Sequence, residues 1–186
     1  MNAPLPAIAV RLPLPRHYRV EHADAAARVE ALALRRAVFC TEQGLFDGSD
    51  EDAIDTDALL LVARPCLDGV DGGGPAPVVG TVRIHRLAPD VWQGSRLAVA
   101  AEYRRVGALG GALIQLAVRS ATTLGCTRFV AQVQAANVPL FQRLHWCSTG
   151  EIALHGRPHH LMEADLAHYP PFAAGEAMRV DVKRGA

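Results

Sequence analysis

RLAVAAEYRRVGALGGALI, from Arg96 to Ile114, is the stretch that decides the fold of this 186-residue chain. Its alternating start predicts a strand over residues 96–100, and apolar residues at helical spacing from Leu113 onward predict a helix. Between the two lie four small residues, Gly107, Ala108, Gly110 and Gly111. Such residues let backbone N–H groups approach a ligand at the positive end of a helix dipole. The turn therefore predicts an anion site; the alternative is a turn that only packs the helix closely on a sheet.

Length and composition place the chain among single-domain globular proteins. A chain of this size buries about 70% of its unfolded surface. Lys and Arg number 19 and so do Asp and Glu, a balance that gives no support for a nucleic-acid partner. The four cysteines have no paired spacing, no apolar run approaches membrane-spanning length, and no signal-peptide pattern is present. We expect a reduced, cytoplasmic protein without a membrane partner or a metal site, and the sequence leaves a homodimer open.

The order of the predicted elements indicates an α/β fold. Strands are predicted at 17–21, 59–63, 78–87, 96–100, 128–134, 146–154 and 159–166, with helices after Asp24, after the glycine turn and at 137–144. The first helix is expected to turn Val29, Ala33, Leu34, Ala37 and Val38 to the core. Residues 43–57 are acidic and are expected to form a surface-exposed loop or a short helix rather than part of the core. The helix between the fourth and fifth strands makes them parallel.

These elements predict one domain at residues 17–168, a mixed twisted sheet of about seven strands flanked by helices. Residues 1–16 are rich in proline and are expected to form an extended or disordered leader. Residues 169–186 are expected to form a C-terminal tail.

The glycine turn resembles the pyrophosphate signature of the GNAT superfamily of N-acetyltransferases, Arg/Gln-x-x-Gly/Ala-x-Gly/Ala. A register that starts at Arg104 places Leu109 at a crowded amide. A register that starts at Arg105 keeps both key positions small, and we adopt it. Neither the Gly-x-Gly-x-x-Gly fingerprint of dinucleotide-binding proteins nor the Walker pattern is present.

Other segments extend the resemblance. NVPLFQRLHW, from Asn137 to Trp146, resembles the family's Asn-x-x-Ala-x-x-Leu-Tyr-x-x-Leu-Gly-Phe helix, but Phe141 stands where many members keep a Tyr and His145 replaces the usual Gly. Segments 35–44, 51–55, 80–83 and 156–162 resemble a sub-branch of small bacterial acetyltransferases. The match is closest to a little-characterised group of acetyltransferase-like domains and more distant to the acyl-homoserine-lactone synthases. The resemblance implies that the fourth and fifth strands splay apart.

The resemblance implies an acyl-coenzyme A-dependent N-acyltransferase that uses acetyl-CoA or another acyl-CoA and a small-molecule amine acceptor. The backbone of the fourth strand would pair with the pantetheine arm and supply the oxyanion donor, and the turn would hold the pyrophosphate. The implied cofactor-binding residues are Leu97, Ala98, Val99, Arg104, Arg105, Val106, Gly107, Ala108, Leu109, Gly110, Gly111, Asn137 and Phe141.

Three residues are candidates for the catalytic step. His159 is the candidate base, because imidazole titrates near neutral pH and its strand borders the substrate side; a structural histidine is the alternative. Glu42 would orient the amine or act as a base through water, or would be an ordinary solvated glutamate. Arg83 either binds a carboxylate in the cleft or pairs with Asp52 or Asp55, and we favour the ion pair.

Two other functions remain open at this point. One is an acyl-homoserine-lactone-type synthase that uses S-adenosylmethionine, although residues 40–58 lack the Trp that this group usually carries. The other is a non-catalytic acyl-CoA-binding or regulatory module, which the phenylalanine at position 141 favours.

Overall fold

The computed structural model describes residues 14–66, 76–171 and 177–181 of the chain. Its strands are β1 (His17–His22), β2 (Leu59–Cys66), β3 (Gly80–Ala88), β4 (Val91–Val99), β5 (Arg128–Gln134), β6 (Trp146–Leu154), β7 (Arg157–Ala164) and β8 (Met178–Asp181). Its α-helices are α1 (Ala25–Arg35), α2 (Ala108–Thr123) and α3 (Val138–Arg143). The strands form one mixed sheet in the order β6-β7-β5-β4-β3-β2-β1-β8. The α/β fold and the parallel pairing of β4 with β5 are therefore confirmed.

The two long helices cover opposite faces of the sheet. Helix α2 packs its apolar side on β1 to β4, and Leu113 and Leu116 are fully buried there. Helix α1 covers the other face, where Ala27 and Ala31 pack against Leu60 of β2. We call the side of the sheet under α1 the acceptor face and the side under α2 the cofactor face.

The inward side of α1 differs from the prediction. The Asp24 side chain caps the helix through the Ala27 amide at 2.7 Å, but Val29 is 69% exposed and Arg35 is fully buried. A π-helix over Arg36–Glu42 follows directly and shifts the later residues around the axis. The prediction is wrong for Val29, Ala33 and Ala37, which are exposed, because a buried charge at position 35 outweighs the apolar periodicity. It is confirmed for Leu34 and Val38, which pack against the core.

The segment predicted as an exposed acidic loop or short helix is partly buried. Asp50 and Asp55 are 1% and 6% exposed, and a short 3₁₀ helix over Ala53–Thr56 starts at an Asp52 capping box. Both carboxylates form ion pairs with buried Arg35, which holds them inside the domain. The short helix, one of the two predicted forms, is therefore present, but the expectation that the segment is exposed is wrong for Asp50 and Asp55.

Strand β4 is longer than the sequence predicts, and strand β8 was not predicted. Strand β4 begins at Val91 rather than at residue 96, because Gln93, Gly94 and Ser95 interrupt the apolar alternation that would have revealed it. The eighth strand, β8, pairs antiparallel with β1 and lies in the segment that was predicted as a tail. Its four residues are too few for a clear periodic signal.

Candidate active site

A cleft opens where β4 and β5 separate. The two strands pair from Val91 with Arg128 to Gly94 with Ala131, and no further residues of these strands are paired with each other. Beyond that point lies a cavity of about 170 Å³. The confirmed parallel pair therefore ends in an open wedge, as the resemblance implies. The cavity is lined by Phe39, Leu45, Phe46, Val82, Gln93, Gly94, Ser95, Arg96, Leu97, Ile114, Ala117, Phe129, Ala131, Gln132, Val133, Gln134, Asn137, Phe141, Trp146, Leu154, His155 and His159.

A β-bulge in β4 lies at the opening of this wedge. Thr81 of β3 pairs with Ala98, whereas Arg83, two residues on, pairs with Ser95, so β4 carries one extra residue there. Arg96 sits in the bulge with φ of 53°. A bulge bends and twists its strand, which accounts for the divergence of β4 from β5.

The glycine turn lies at the start of α2. Gly107 and Ala108 are exposed and Gly110 is half-exposed, whereas Leu109 is fully buried. Only the register that starts at Arg105 places small, accessible residues at both key positions. This exposure supports the register adopted from the sequence.

Packing does not require glycine in this turn. A Cβ added at Gly107 would meet no atom within 4 Å, and one at Gly110 would lie 3.7 Å from Leu140 Cδ2, an ordinary contact. By contrast, a Cβ at Gly80 would lie 3.0 Å from Leu113 Cδ1. The turn therefore leaves open space over the first amides of α2, where a bound phosphate group would fit.

The two basic residues before the turn are both exposed, but Arg104 already has partners. Its guanidinium contacts both carboxylate oxygens of Glu42, at 2.6 and 2.7 Å, and its Nε donates to the Val99 carbonyl at 2.9 Å. The Arg104 hydrogen bonds hold the pKa of Glu42 below its usual value. Glu42 is thus placed beside the turn and the end of β4 and does not line the cleft. Arg105 carries no such contact and is exposed to solvent.

The C-terminal half of β4 presents its residues to both faces. Leu97 and Val99 pack against the core on the cofactor face. Ala98 is 2% exposed and packs against Val38 and Phe39 on the acceptor face. Of the three, only Leu97 lines the cleft.

Two predicted residues of the following helix lie on the opposite wall of the cleft. Asn137 ends a 3₁₀ turn just before α3, and Phe141 packs edge-on against Trp146 with ring centroids 5.0 Å apart. His145, which replaces the family's Gly, has φ of 61°. Because glycine adopts this conformation most easily, the backbone retains the geometry that the resemblance implies.

His159 faces the cleft from β7. It pairs with Gln134 of β5, and opposed residues of an antiparallel pair share a face. Its Nδ1 donates to the Arg157 carbonyl at 2.9 Å, so in the neutral ring Nε2 carries the free lone pair. His159 is 7% exposed and lines the cavity. The neighbouring His160 points to the opposite face and contacts Ser148 Oγ at 2.9 Å.

Arg83 belongs to a cluster of ion pairs beneath the acceptor face. Its guanidinium contacts Asp52 at 2.6 Å and Asp55 at 3.0 Å, and its side chain is 2% exposed. Arg35 contacts Asp55 at 2.6 Å and Asp50 at 2.8 Å. Burial by itself would raise the pKa of Asp55, but the hydrogen bonds and charges of its arginines outweigh it and hold that pKa well below its usual value. Arg83 therefore does not line the cleft.

Sequence reasoning missed three residues that close the cleft. Arg96 contacts Asp50 and Asp52 at 3.1 and 3.2 Å, and its guanidinium carbon lies 4.5 Å from the centroid of the Phe46 ring. The ring of Phe46 also contacts the ring of His155, with 4.9 Å between the ring centroids. In the sequence, Phe46 is a single aromatic residue beside an acidic segment, and Arg96 and His155 belong to distant segments, so no local pattern groups the three.

The rest of the described chain offers no competing site chemistry. In the described ranges, no group of three His, Cys, Asp or Glu residues is arranged to hold a metal ion. All four cysteines are free thiols. No helix within the described segments is long and apolar enough to span a membrane.

Comparisons with known proteins agree with this geometry. A family model described as the acetyltransferase (GNAT) family matches residues 32–146. The structure is similar to that of a proposed N-acetyltransferase from Lactobacillus plantarum, with 24% identity, a TM-score of 0.68 and coverage of 79% of this chain and 97% of that one. ElaA of Escherichia coli is 18% identical, with a TM-score of 0.64 and coverage of 80% and 98%.

A third similar structure is an acyl-CoA N-acyltransferase from Pseudomonas aeruginosa, which is 19% identical, with a TM-score of 0.57 and coverage of 79% and 98%. At these identities the structures show a common fold. A comparison with curated proteins gives no match.

Proposed function

Because the chain belongs to the acetyltransferase (GNAT) family, we propose that it transfers an acyl group, in the simplest case acetyl, from coenzyme A to the amine of a small molecule. The observation that carries this proposal is the wedge between β4 and β5. Ile114 of α2, four residues after Gly110, lines it, and so does a buried imidazole with a free nitrogen. We propose direct transfer, with both substrates bound together.

The residues around the turn fit the diphosphate of coenzyme A. The backbone amides of 107–111 lie at the N-terminus of α2, with no side chain needed to fill the space above Gly107 and Gly110. The exposed guanidinium of Arg105 lies at the same end. A doubly charged group placed there gains hydrogen bonds from the amides and favourable energy from the helix dipole.

The edge of β4 would hold the pantetheine arm. Leu97 to Val99 lie past the last residue that pairs with β5, so the backbone edge on that side is available to an extended chain. Asn137 faces it from the other wall of the cleft. The Val99 amide is the proposed donor to the oxyanion that forms during acyl transfer.

Acyl-CoA supplies an activated thioester and a thiolate leaving group. His159 accepts the proton of the attacking amine at Nε2, while its Nδ1 bond to the Arg157 carbonyl fixes the ring. The new C–N bond forms first and moves the carbonyl electron pair onto oxygen as the oxyanion. The C=O bond then re-forms as the C–S bond breaks, and the C–S electron pair leaves with the sulfur. Phe141 has no proton to donate, so the thiolate takes its proton from water.

Glu42 and Arg83 have positioning roles in this proposal. Glu42 holds Arg104 against the Val99 carbonyl and thereby orders the approach to the turn. Arg83 anchors Ser95, at the mouth of the wedge, through a hydrogen bond of 2.9 Å from its Nε. Neither side chain lines the cleft.

Release of free thiol from acetyl-CoA in the presence of a panel of small amines tests the proposal. We expect amine-dependent thiol release that His159→Ala removes and His160→Ala does not. Binding of acetyl-CoA without release for any amine would instead indicate a binding or regulatory module. Lactone formation from an acyl donor and S-adenosylmethionine, detected by mass spectrometry, would indicate a synthase.

A further inference from the structure

The acceptor-face end of the cleft is closed by an apolar group of side chains. Phe46 lies between the guanidinium of Arg96 and the ring of His155, and so connects the β4 bulge to the β6–β7 turn. Leu45 and Leu154 line the cavity beside it. A substrate that enters from this face must therefore place an apolar part against Phe46.

The residues that carry Phe46 are fastened across the cleft. The Arg157 guanidinium donates to the Gln43 carbonyl at 2.9 Å, and the Gln134 side-chain amide donates to the Gln43 side chain at 3.3 Å. These bonds join the start of the 43–46 segment to β5 and β7. Phe46 is thus held in place as a wall of the site.

No Asp or Glu is among the described residues that line the cavity. Arg96 lines the cavity from the bulge, whereas Arg157 is exposed and lies outside the lining. The Arg96 guanidinium pairs with both Asp50 and Asp52, so it presents no unpaired positive charge to the cavity. Asp50 is 1% exposed, so a ligand in the cleft does not reach it.

Glu42 lies outside the lining and is bound by both terminal nitrogens of Arg104. A second ammonium group on the acceptor would leave water for a cavity that offers apolar carbon and, in its described lining, no carboxylate to pair with it. An alkyl or aromatic body would instead gain from burial against Phe46 and Leu45.

We infer that the acceptor is a monoamine with an apolar body, and that the site discriminates against diamines and polyamines. This inference rests on the proposed function and names the substrate class of the same site. Phe46, Leu45 and Leu154, the apolar lining at this end, set the preference. His159 takes the proton from whichever amine is bound and does not distinguish between the two classes.

A matched pair of amines tests the inference. Hexylamine and 1,5-diaminopentane have the same number of non-hydrogen atoms, and they differ in whether the far end is a methyl or an ammonium group. We expect kcat/KM for thiol release to favour hexylamine by about tenfold or more. Equal values, or a preference for the diamine, would overturn the inference.

Two variants locate the preference in the cleft. Gln132→Glu adds a carboxylate at an exposed position of β5 that lines the cavity, and should reduce the preference about fivefold by helping the diamine. Val29→Glu adds the same charge on exposed α1 and should leave it unchanged. Phe46→Ala should lower kcat/KM for hexylamine about fivefold with acetyl-CoA affinity unchanged.

Binding measurements keep the two hypotheses separable. If acetyl-CoA binds but no amine releases thiol, the proposed transfer is wrong. Saturation-transfer NMR of the two amines with the protein and coenzyme A then still decides the present inference. Stronger binding of hexylamine supports it, and stronger or equal binding of 1,5-diaminopentane overturns it.

Discussion

Substitution of Gly110 by Asp places a negative charge where the diphosphate of coenzyme A is proposed to bind. Gly110 is the third residue of α2, and a Cβ there meets only Leu140 Cδ2, at 3.7 Å. A carboxylate in the first turn of a helix is favourable for the helix itself. Glycine inside a helix is less favourable than alanine by about 0.5–1 kcal/mol, and aspartate recovers a small part of this difference. The unliganded variant should therefore keep or increase its thermal stability.

The expected loss of affinity follows from Coulomb's law. Two unit charges about 6 Å apart repel by about 3 kcal/mol at an effective dielectric constant of about 20, and solvent and salt reduce this further. A remaining penalty of about 1.4–2.5 kcal/mol corresponds to a loss of affinity of about tenfold to 70-fold. Gly110→Asp should thus weaken coenzyme A binding at least tenfold.

Gly110→Asn is the matched control, because its side chain has nearly the same size and no charge. Isothermal titration calorimetry of acetyl-CoA against both variants separates bulk from charge, and the gap between them should widen at low salt. Unchanged affinity in a folded Gly110→Asp protein would refute the placement of an anion at this turn. Equal losses in the two variants would show that bulk alone acts, and would refute the electrostatic part.

Three further changes test single residues. Phe141→Tyr supplies the missing phenol and should raise kcat for thiol release several-fold; an unchanged kcat would show that protonation of the thiolate does not limit the rate. Phe141→Ala should lower the free energy of unfolding in urea by about 3–5 kcal/mol. His159→Ala should lower kcat about 10²-fold with coenzyme A affinity preserved, and His160→Ala should not; the reverse pattern would contradict the role given to His159. Asp55→Asn should cost about 3–5 kcal/mol, because it leaves Arg35 buried without its full partner. Since the folded-state pKa of Asp55 lies below its unfolded value, wild type should lose stability as pH falls below about 4, and the variant should lose less over that range, as followed by circular dichroism.

Local patterns in the sequence were sufficient for the elements that form the wedge. The bounds of β5 and β6 were predicted residue for residue, because each is a run with clear alternation between turn signals. The parallel relation of β4 and β5 followed from the helix between them. The splay could be expected from the family resemblance, but its physical cause, the bulge at Arg96, depends on a register shift that no local pattern reveals.

Long-range ion pairs explain what the sequence did not show. The burial of Arg35 depends on Asp50 and Asp55, which lie 15 and 20 residues further along the chain. A prediction from hydrophobic periodicity places charged residues on the surface. The predicted buried face of α1 therefore excluded Arg35, although this residue is fully buried. Phe46 and His155 meet only because the 43–46 segment is fastened to β7, and neither residue stands out in its own sequence context.

The most direct test of the central claim is titration calorimetry of the wild-type protein with acetyl-CoA. Binding in the wedge with the diphosphate on the α2 amides predicts a saturable one-to-one isotherm, with an affinity that falls as salt concentration rises. The absence of a binding signal at millimolar acetyl-CoA, with the protein folded, would contradict the claim that this cleft holds coenzyme A.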